Sequence, residues 1–397
     1  METTRFTFSP GLRNTAFVLM GIGVLSVVYG FISDPTRAWA NLLLNNLYFL
    51  LIALGASFFL ALQYIAQAGW ASAFKRVPEA MTKYVPFAAV IMLVIMIFGM
   101  EHLYVWVNPE AHTDILDEHD LHLLHHKHSY LNTVFFIVRL VIIFASWILL
   151  QSYLHKLSLK EDEDKDNALK WFEKSHFWSK VYIFVYGITF IFAMIDWIMS
   201  IEPTWFSTIF AVKNFISAFY HGSAVILLIV LYLHSKGYFP FLNKSHVHDF
   251  SKYLFMLSIL FAYTWYSQYM LIWYANIPEE TIYYFYRRFE FSQTLFVANV
   301  IVNFAIPFIV LLPNRLAKNS KVLLAMIVVI LAGHYIDLYN EIFPRTVLSP
   351  KFGIVEIGTY AGFWGLFIFV VGRALTKANI IPVNHPYLEE SLHHHLH

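Results

Sequence analysis

The sequence predicts an all-α integral membrane protein with ten transmembrane helices and both termini on the cytoplasmic side. Three observations predict it. First, the 397-residue chain is 58% hydrophobic and only 13% charged, with a mean hydropathy of +0.57, whereas soluble domains run near half apolar with about a quarter charged. Second, ten apolar stretches reach the ~20 residues that a helix needs to cross the hydrocarbon. Third, the basic residues are unequally shared between alternate loops, which sets orientation. The net charge of +1 gives no field to attract nucleic acid. The absence of cysteine excludes disulfides, iron–sulfur clusters, thioether-attached haem and thiolate zinc sites.

The spans fall at 12–33, 42–69, 85–107, 130–155, 178–201, 212–235, 252–275, 291–313, 321–343 and 353–375. Backbone amides cannot go unpaired in lipid, so each is expected to be helical. The first, within METTRFTFSPGLRNTAFVLMGIGVLSVVYGFIS, has no small-residue cleavage site after its apolar run and reads as a retained span, not a signal peptide. One face takes Arg5, Arg13, Lys75, Arg76, Lys83, the lysines of 156–180, Lys236, Lys244, Lys252, Arg315, Lys318, Lys321, Arg373 and Lys377. The other takes the smaller set Arg37, Lys127, Lys213, Arg287, Arg288, Arg345 and Lys351, with Arg139 inside the membrane. The richer face is expected to be cytoplasmic.

Short loops make residues 1–397 a single membrane domain, with a cytoplasmic tail at 376–397 that is expected to be mobile. Residues 156–176, KLSLKEDEDKDNALKWFEKSH, read as a solvated cytoplasmic helix or turn; 108–130 read as an acidic, histidine-rich outer loop and wet contact surface. The stretch YSQYMLIWYANIPEETIYYFYRR, 266–288, leaves the membrane on the outer face. There Trp273, Tyr274, Tyr283 and Tyr284 are expected to form an interfacial belt with wet polar atoms. Glu279, Glu280, Arg287 and Arg288 are expected to form an outer contact lip.

A charge inside hydrocarbon is costly, so each such residue is a functional candidate or half of a buried pair. The candidates are Glu101 and His102 on the third span, Arg139 on the fourth, Asp196 on the fifth, His221 on the sixth, Gln268 on the seventh and Glu356 at the start of the tenth. His334, Asp337 and Glu341 share one stripe of the ninth. Arg139 has Asp196 or Glu101 as its candidate partner. The ninth-span stripe is either a proton or quinol-linked path or a set of interhelix hydrogen bonds. Nearly all of these lie in the outer half; the inner half offers little beyond Ser26, Ser57, Gln63 and Gln67. Metal ligation by the loop or tail histidines and a haem held by intramembrane histidines are minor readings. No nucleotide, zinc-protease or hydrolase motif occurs, so no residue is assigned a catalytic role.

An internal echo suggests a parallel repeat: DWIMSIEPTWFSTIF (196–210) and DLYNEIFPRT (337–346) each place an intramembrane Asp seven residues before an exit proline. The echo would make 42–201 and 212–343 two four-helix bundles, flanked by the first helix with its loop (1–41) and by the tenth (353–375). Together with HDFSKYLF (248–255), YSQYMLIWYANIPEETIYY (266–284), NFAIPFIVLL (303–312) and HYIDLYNEIFP (334–344), these segments resemble the large integral membrane subunits of bacterial alternative complex III. These are distant relatives of polysulfide reductase and nitrite reductase D-type anchors. That complex has two such sister subunits, one thought to bind menaquinol and one thought to carry no cofactor. The compact length and short tail here are more similar to the cofactor-free sister.

The resemblance implies two four-helix bundles with one flanking helix each, in the bacterial inner membrane. It implies a chain that binds no cofactor itself, within a complex that oxidises menaquinol. The implied partners are the quinol-binding sister membrane subunit, a multihaem cytochrome c, an iron–sulfur molybdopterin-like subunit, small membrane anchors, lipids and in some cases a terminal oxidase. Asp196, Gln268, His334 and Asp337 fall on family positions; the other candidates rest on depth. The expected function is thus a structural and proton-conducting role in a quinol:cytochrome c or quinol:oxidase oxidoreductase. The alternatives are the sister's quinol-binding role, with an outer pocket of Glu101, His102, Asp196 and His221, and an independent secondary transporter.

Overall fold

The computed structural model describes residues 5–112, 116 and 118–395. Its long helices are α1 Pro10–Ser33, α2 Pro35–Ile65, α3 Arg76–Phe98, α4 Thr133–Glu163, α5 Ala168–Trp197, α6 Thr208–Ser235, α7 Lys244–Ala275, α8 Gln293–Leu311, α9 Ser320–Thr346 and α10 Ile354–Leu375. Among the described residues no strand forms, and one isolated bridge joins Arg5 to Asn379. All of these helices except α7 are long and apolar enough to cross a membrane, nine in number among the described residues. The chain is therefore a multi-pass, all-α membrane protein. Helix α7 has the length, 32 residues, but its Tyr, Trp, Ser and Gln content makes it less apolar.

Side-chain caps set the helix starts. The Asp34 carboxylate accepts from the Arg37 amide at 3.1 Å and Pro35 follows, so α2 begins well before its apolar run. Asn132 caps α4, accepting from Phe135 N at 2.9 Å. Helices α4 and α5 both extend into the charged 156–176 segment, which narrows to one turn at Lys165–Asn167.

The two centre helices are α2 and α6, whose apolar windows are 83% and 78% buried, against 22% for α1. They touch backbone to backbone. A Cβ on Gly55 would lie 1.9 Å from the Ala218 carbonyl oxygen, and one on Gly222 would lie 2.8 Å from Gly55 Cα. Around this axis α2, α3, α4 and α5 contact one another in a ring, as do α6, α7, α8 and α9. Helices α1 and α10 pair outside the rings through Ala16, Gly23, Ser26, Gly358, Gly362 and Gly365. Small residues let helices approach closely where lipid supplies no hydrophobic drive. Large apolar side chains such as Leu25, Ile32, Val134, Ile142 and Leu149 face outward, as a lipid-facing surface requires.

The tail does not behave as expected. Residues 376–395 dock on the basic end of the molecule: Ser391 Oγ donates to the Trp70 carbonyl at 2.7 Å, and Asn243 Nδ2 donates to the His394 carbonyl at 2.7 Å. Leu396 and His397 lie outside the described residues, as do 113–115 and 117 of the histidine-rich loop.

Gly55→Val should overpack the α2–α6 contact and cost at least about 1–3 kcal/mol, read as a lower melting temperature in detergent. Gly187→Ala, where a Cβ meets nothing within 4 Å, should leave the melting temperature unchanged or raise it.

Candidate functional site: a buried ionic and histidine chain

The polar centre of the second ring begins at Lys213, one turn into α6. Its ammonium donates to Asp337 Oδ2 at 2.5 Å and to Glu341 Oε1 at 2.7 Å, both on α9. All three side chains are buried. Asn299 Nδ2 donates to the other Asp337 oxygen, Oδ1, at 2.9 Å, and Asn214 Nδ2 donates at 3.1 Å to the same Glu341 Oε1 that Lys213 engages. One cation thus faces two carboxylates, and Glu341 Oε2 has no partner.

From Asp337 the polar contacts continue toward mid-membrane. Asn299 Oδ1 accepts from Asn303 Nδ2 at 2.7 Å, and Asn303 Oδ1 lies 3.2 Å from His221 Nε2. His221 Nδ1 meets the Ser217 carbonyl at 2.5 Å, a contact that requires the proton on Nδ1. With Nδ1 protonated, the Nε2 contact with the Asn303 amide oxygen, itself an acceptor, is a hydrogen bond only when Nε2 also carries a proton. The His221 ring stacks on His334 with centroids 4.0 Å apart, and His334 lies 4.6 Å from Tyr48. The Tyr48 hydroxyl reaches Tyr360 at 3.1 Å and the Leu331 carbonyl at 3.0 Å. Both imidazoles are wholly buried. Neither nitrogen of His334 makes a hydrogen bond of good geometry, although the Tyr48 backbone lies close enough to interact electrostatically. The face-to-face contact leaves no room for a macrocycle between the two rings.

A local helix irregularity places Asn303. Helix α8 passes through a π segment at Ile301–Ala305, and Pro307 has no N–H to give the Asn303 carbonyl four residues earlier. The Tyr220 hydroxyl donates to that carbonyl instead, at 3.3 Å. Such π turns recur at functional sites.

The other candidates separate from this chain. Arg139 pairs with Asp196, not Glu101: its Nε and Nη2 donate to the carboxylate at 2.7 and 3.1 Å, and the Tyr130 hydroxyl adds a bond at 3.0 Å. Glu356 accepts from Arg37 at 2.7 and 2.5 Å, from Asn41 at 2.9 Å and from the Gly353 amide at 2.7 Å. That makes it a helix cap and buried ion pair. Glu101 and His102 are exposed, with His102 near Thr36 at 3.2 Å. The outer pocket expected to join them with Asp196 and His221 is therefore not formed, because those two are wholly buried in separate rings. Gln268 is buried with its amide nitrogen unpaired.

The lip at 266–288 also divides. Trp273, Tyr274 and Glu279 are exposed and Glu280 is half-buried. Tyr283 and Tyr284 are buried, not a wet belt, and Arg287 is no contact surface. Arg287 stacks on Tyr283 at 3.4 Å and donates to Glu202 Oε2 at 3.0 Å. Arg345 donates to Glu202 Oε1 at 2.8 Å, so a buried carboxylate after α5 clamps the second ring. Arg288, half-buried, donates to the Tyr269 hydroxyl at 2.8 Å.

At the basic end, outside the expected spans, lies a second charge cluster. Glu79 accepts from Arg76 and from Ser158, each at 2.5 Å, and Arg76 also bonds Asp162. Lys75 donates to the fully buried Glu161 at 3.1 Å. Glu161 belongs to the segment expected to be solvated. Burial pulls the Lys75 ammonium down, but Glu161, Tyr64 and Glu79 together outweigh it and raise the group above its ordinary value. Against this cluster His385 of the tail is driven down to about 2, by burial first and by Lys75 next. Burial likewise brings His246, which meets the Ser391 carbonyl at 2.8 Å, down to about 4.

Sequence reasoning counted Lys213 and Arg37 among the charges of the outer face and so missed both cations as buried partners. The signal was present. Lys213, Ser217 and His221, like Arg37, Asn41 and Asn45, recur every four residues and mark one polar stripe down a helix. Among the described residues no group of three or more His, Cys, Asp or Glu is arranged to hold a metal. No protein-family model matches the chain, and no curated protein matches it significantly.

Lys213→Met should leave two buried carboxylates uncompensated and cost about 3–5 kcal/mol, measured by thermal denaturation. Adding Asp337→Asn and Glu341→Gln should restore most of it. A separate outcome concerns the tail. An undocked histidine titrates near 6.5 while docked His246 titrates near 4. Docking stability is therefore full above about pH 6.5 and falls as pH drops toward about 4, because the undocked state binds more protons. Asp249, bonded to His394, is the nearby carboxylate. Protection factors of residues 380–395, with exchange rates corrected for their intrinsic pH dependence, should be lower at pH 5 than at pH 7.5, and His246→Gln should reduce that difference.

Proposed function

We propose that this chain is a membrane subunit, binding no cofactor itself, of a bacterial quinol:cytochrome c or quinol:oxidase oxidoreductase of the alternative complex III type. It serves as scaffold and carries protons partway across the membrane. In this reading α7 is a tenth span, the two rings are two four-helix bundles flanked by α1 and α10, and both termini face the cytoplasm. The ring contacts of α2–α5 and α6–α9 support the bundles. The motif set at 196–210, 248–284 and 303–344 supports the family.

The observation that carries the proton role is the Lys213–Asp337–Glu341 cluster with its continuation to His221 and His334. Lys213, Asp337 and Glu341 lie within hydrogen-bond reach of one another, which is the geometric requirement for transfer, and the Ser217 hydroxyl stands between Asp337 Oδ2 at 3.4 Å and His221 Nδ1 at 3.2 Å; the last step, to His334, is a ring stack and not a hydrogen bond. Ionisable residues inside a membrane mark such relays. The chain runs from the expected outer end to about the middle of α9, so it is a half-path. Asp196, held bidentately by Arg139 and by Tyr130, reads as the structural counterpart in the first bundle. The proposed partners are the sister membrane subunit, a multihaem cytochrome c, an iron–sulfur protein and small anchors, with Glu279, Glu280 and Arg288 as the accessible part of the contact lip.

Purification from native membranes in mild detergent tests the assignment: co-elution with haem c and iron–sulfur absorbance is expected, and a lone, stable chain would reject it. In that complex Asp337→Asn should leave assembly and electron transfer within about twofold and slow proton movement at least about tenfold, general acid–base groups contributing 10²–10⁴-fold. Equal proton movement in variant and wild type would reduce the chain to packing.

A further inference from the structure

Beside the buried cluster at the basic end lies an open cavity of about 320 Å³ between α3, α4, α10 and the segment that follows α10. Its charged lining is Arg76, Lys83, Arg373 and Lys377 against the single carboxylate of Glu79. That carboxylate is already engaged by Arg76 and Ser158, with His155 at 3.3 Å. Among the described residues Lys83, Arg373 and Lys377 make no ion pair or side-chain hydrogen bond; Lys83 feels the attraction of Glu79 and, more weakly, the repulsion of Lys377. The buried cations described above are directly paired; these three are not.

The rest of the wall is largely apolar, with Phe87, Phe369, Val370 and Leu375 on the same two helices as Lys83 and Arg373. From Phe87 it continues into Val90, Val94 and Ile97, an exposed stripe on the lipid-facing side of α3. The cavity is thus a cationic mouth at a membrane boundary that opens onto a hydrocarbon-facing strip. Its volume is near the lower bound of small-molecule pockets, ~300–1,000 Å³, which suits a headgroup whose acyl chains lie outside on α3.

We propose that this cavity is a binding site for the phosphate headgroup of an anionic phospholipid, held by Lys83, Arg373 and Lys377, with an acyl chain along Phe87, Val90 and Val94. Basic pockets between transmembrane helices recognise anionic lipids through such pairing. A soluble phosphate would use the cations and leave the apolar wall unused. The bound lipid would tie α3 to the segment after α10, and hence to the tail docked on Trp70 and His246. The inference needs the membrane boundary at this end and is independent of the complex proposed above.

Native mass spectrometry of the full chain in detergent, titrated with phosphatidylglycerol or phosphatidylcholine, tests it. Each cation near an anionic surface contributes about fivefold. Lys83→Gln/Arg373→Gln/Lys377→Gln should therefore weaken phosphatidylglycerol binding on the order of 100-fold, with phosphatidylcholine weak throughout. Lys236→Gln/Lys244→Gln/Lys321→Gln, at the same end, should leave binding unchanged. The double variant Arg373→Gln/Lys377→Gln, both exposed positions, keeps the test open if the triple variant folds poorly. Equal phosphatidylglycerol binding by wild type and the cavity variants would overturn the proposal. Displacement of the lipid by inorganic phosphate at matched concentration would also overturn it, by assigning the cavity to a soluble anion.

Discussion

Charge inside a low-dielectric core must be neutralised where it stands, and that requirement organises this molecule. Removing an ammonium or carboxylate from water costs several kcal/mol even after relaxation. A helix carrying one is therefore pinned to whichever neighbour brings the opposite charge. Lys213 pins α6 to α9, Arg139 pins α4 to α5, and Arg37 pins α2 to α10. Glu202, after α5, holds Arg287 and Arg345 of the second ring. Hydrophobic packing alone is permissive about register in lipid; these pairs are not.

Between the pins, close contact is left to residues with almost no side chain. Gly55, Ala218 and Gly222 bring α2 and α6 together, and the glycines of α1 and α10 do the same outside the rings. Close backbones leave little space for water at the centre. The polar chain therefore passes beside this axis, through α6, α8 and α9, where Asn299, Asn303 and the π segment of α8 supply donors and acceptors. Its asymmetry has a physical cause: past His334 the next polar groups are tyrosine hydroxyls tied to Leu331 and to each other.

The helices were legible because lipid forces apolar runs to be helical, and every expected span contains one. Their ends were less so. Asp34 with Pro35 starts α2 early, and capping is invisible to a hydropathy count. The site was half legible. The acids and imidazoles Asp196, His221, His334, Asp337 and Glu341 stood out as charges in apolar runs. Arg139 stood out with Asp196, but Lys213 and Arg37, the cations of Asp337, Glu341 and Glu356, did not, since they sit close inside helix ends, where a lysine or arginine normally snorkels to water. Exposure of Glu101 and His102, and burial of Arg287, depend on which way a helix end rotates. That is decided by packing against Trp39, Glu202 and Tyr283, partners that a count of apolar runs does not identify. The buried cluster of Lys75, Arg76, Glu79 and Glu161 was hidden for a related reason: a run of alternating charges reads as a wet surface until two such runs are folded together.

What separates a proton path from a static brace is whether the chain from Glu341 to His334 exchanges protons with solvent. Infrared spectroscopy of the carboxyl stretch after transfer to D2O, wild type against Asp337→Asn/Glu341→Gln, reads this directly. A carboxyl band that shifts in D2O and titrates with pH in the wild type, and vanishes in the variant, is the predicted result. No exchangeable or titrating carboxyl signal from these two positions would contradict it and leave the cluster as a brace.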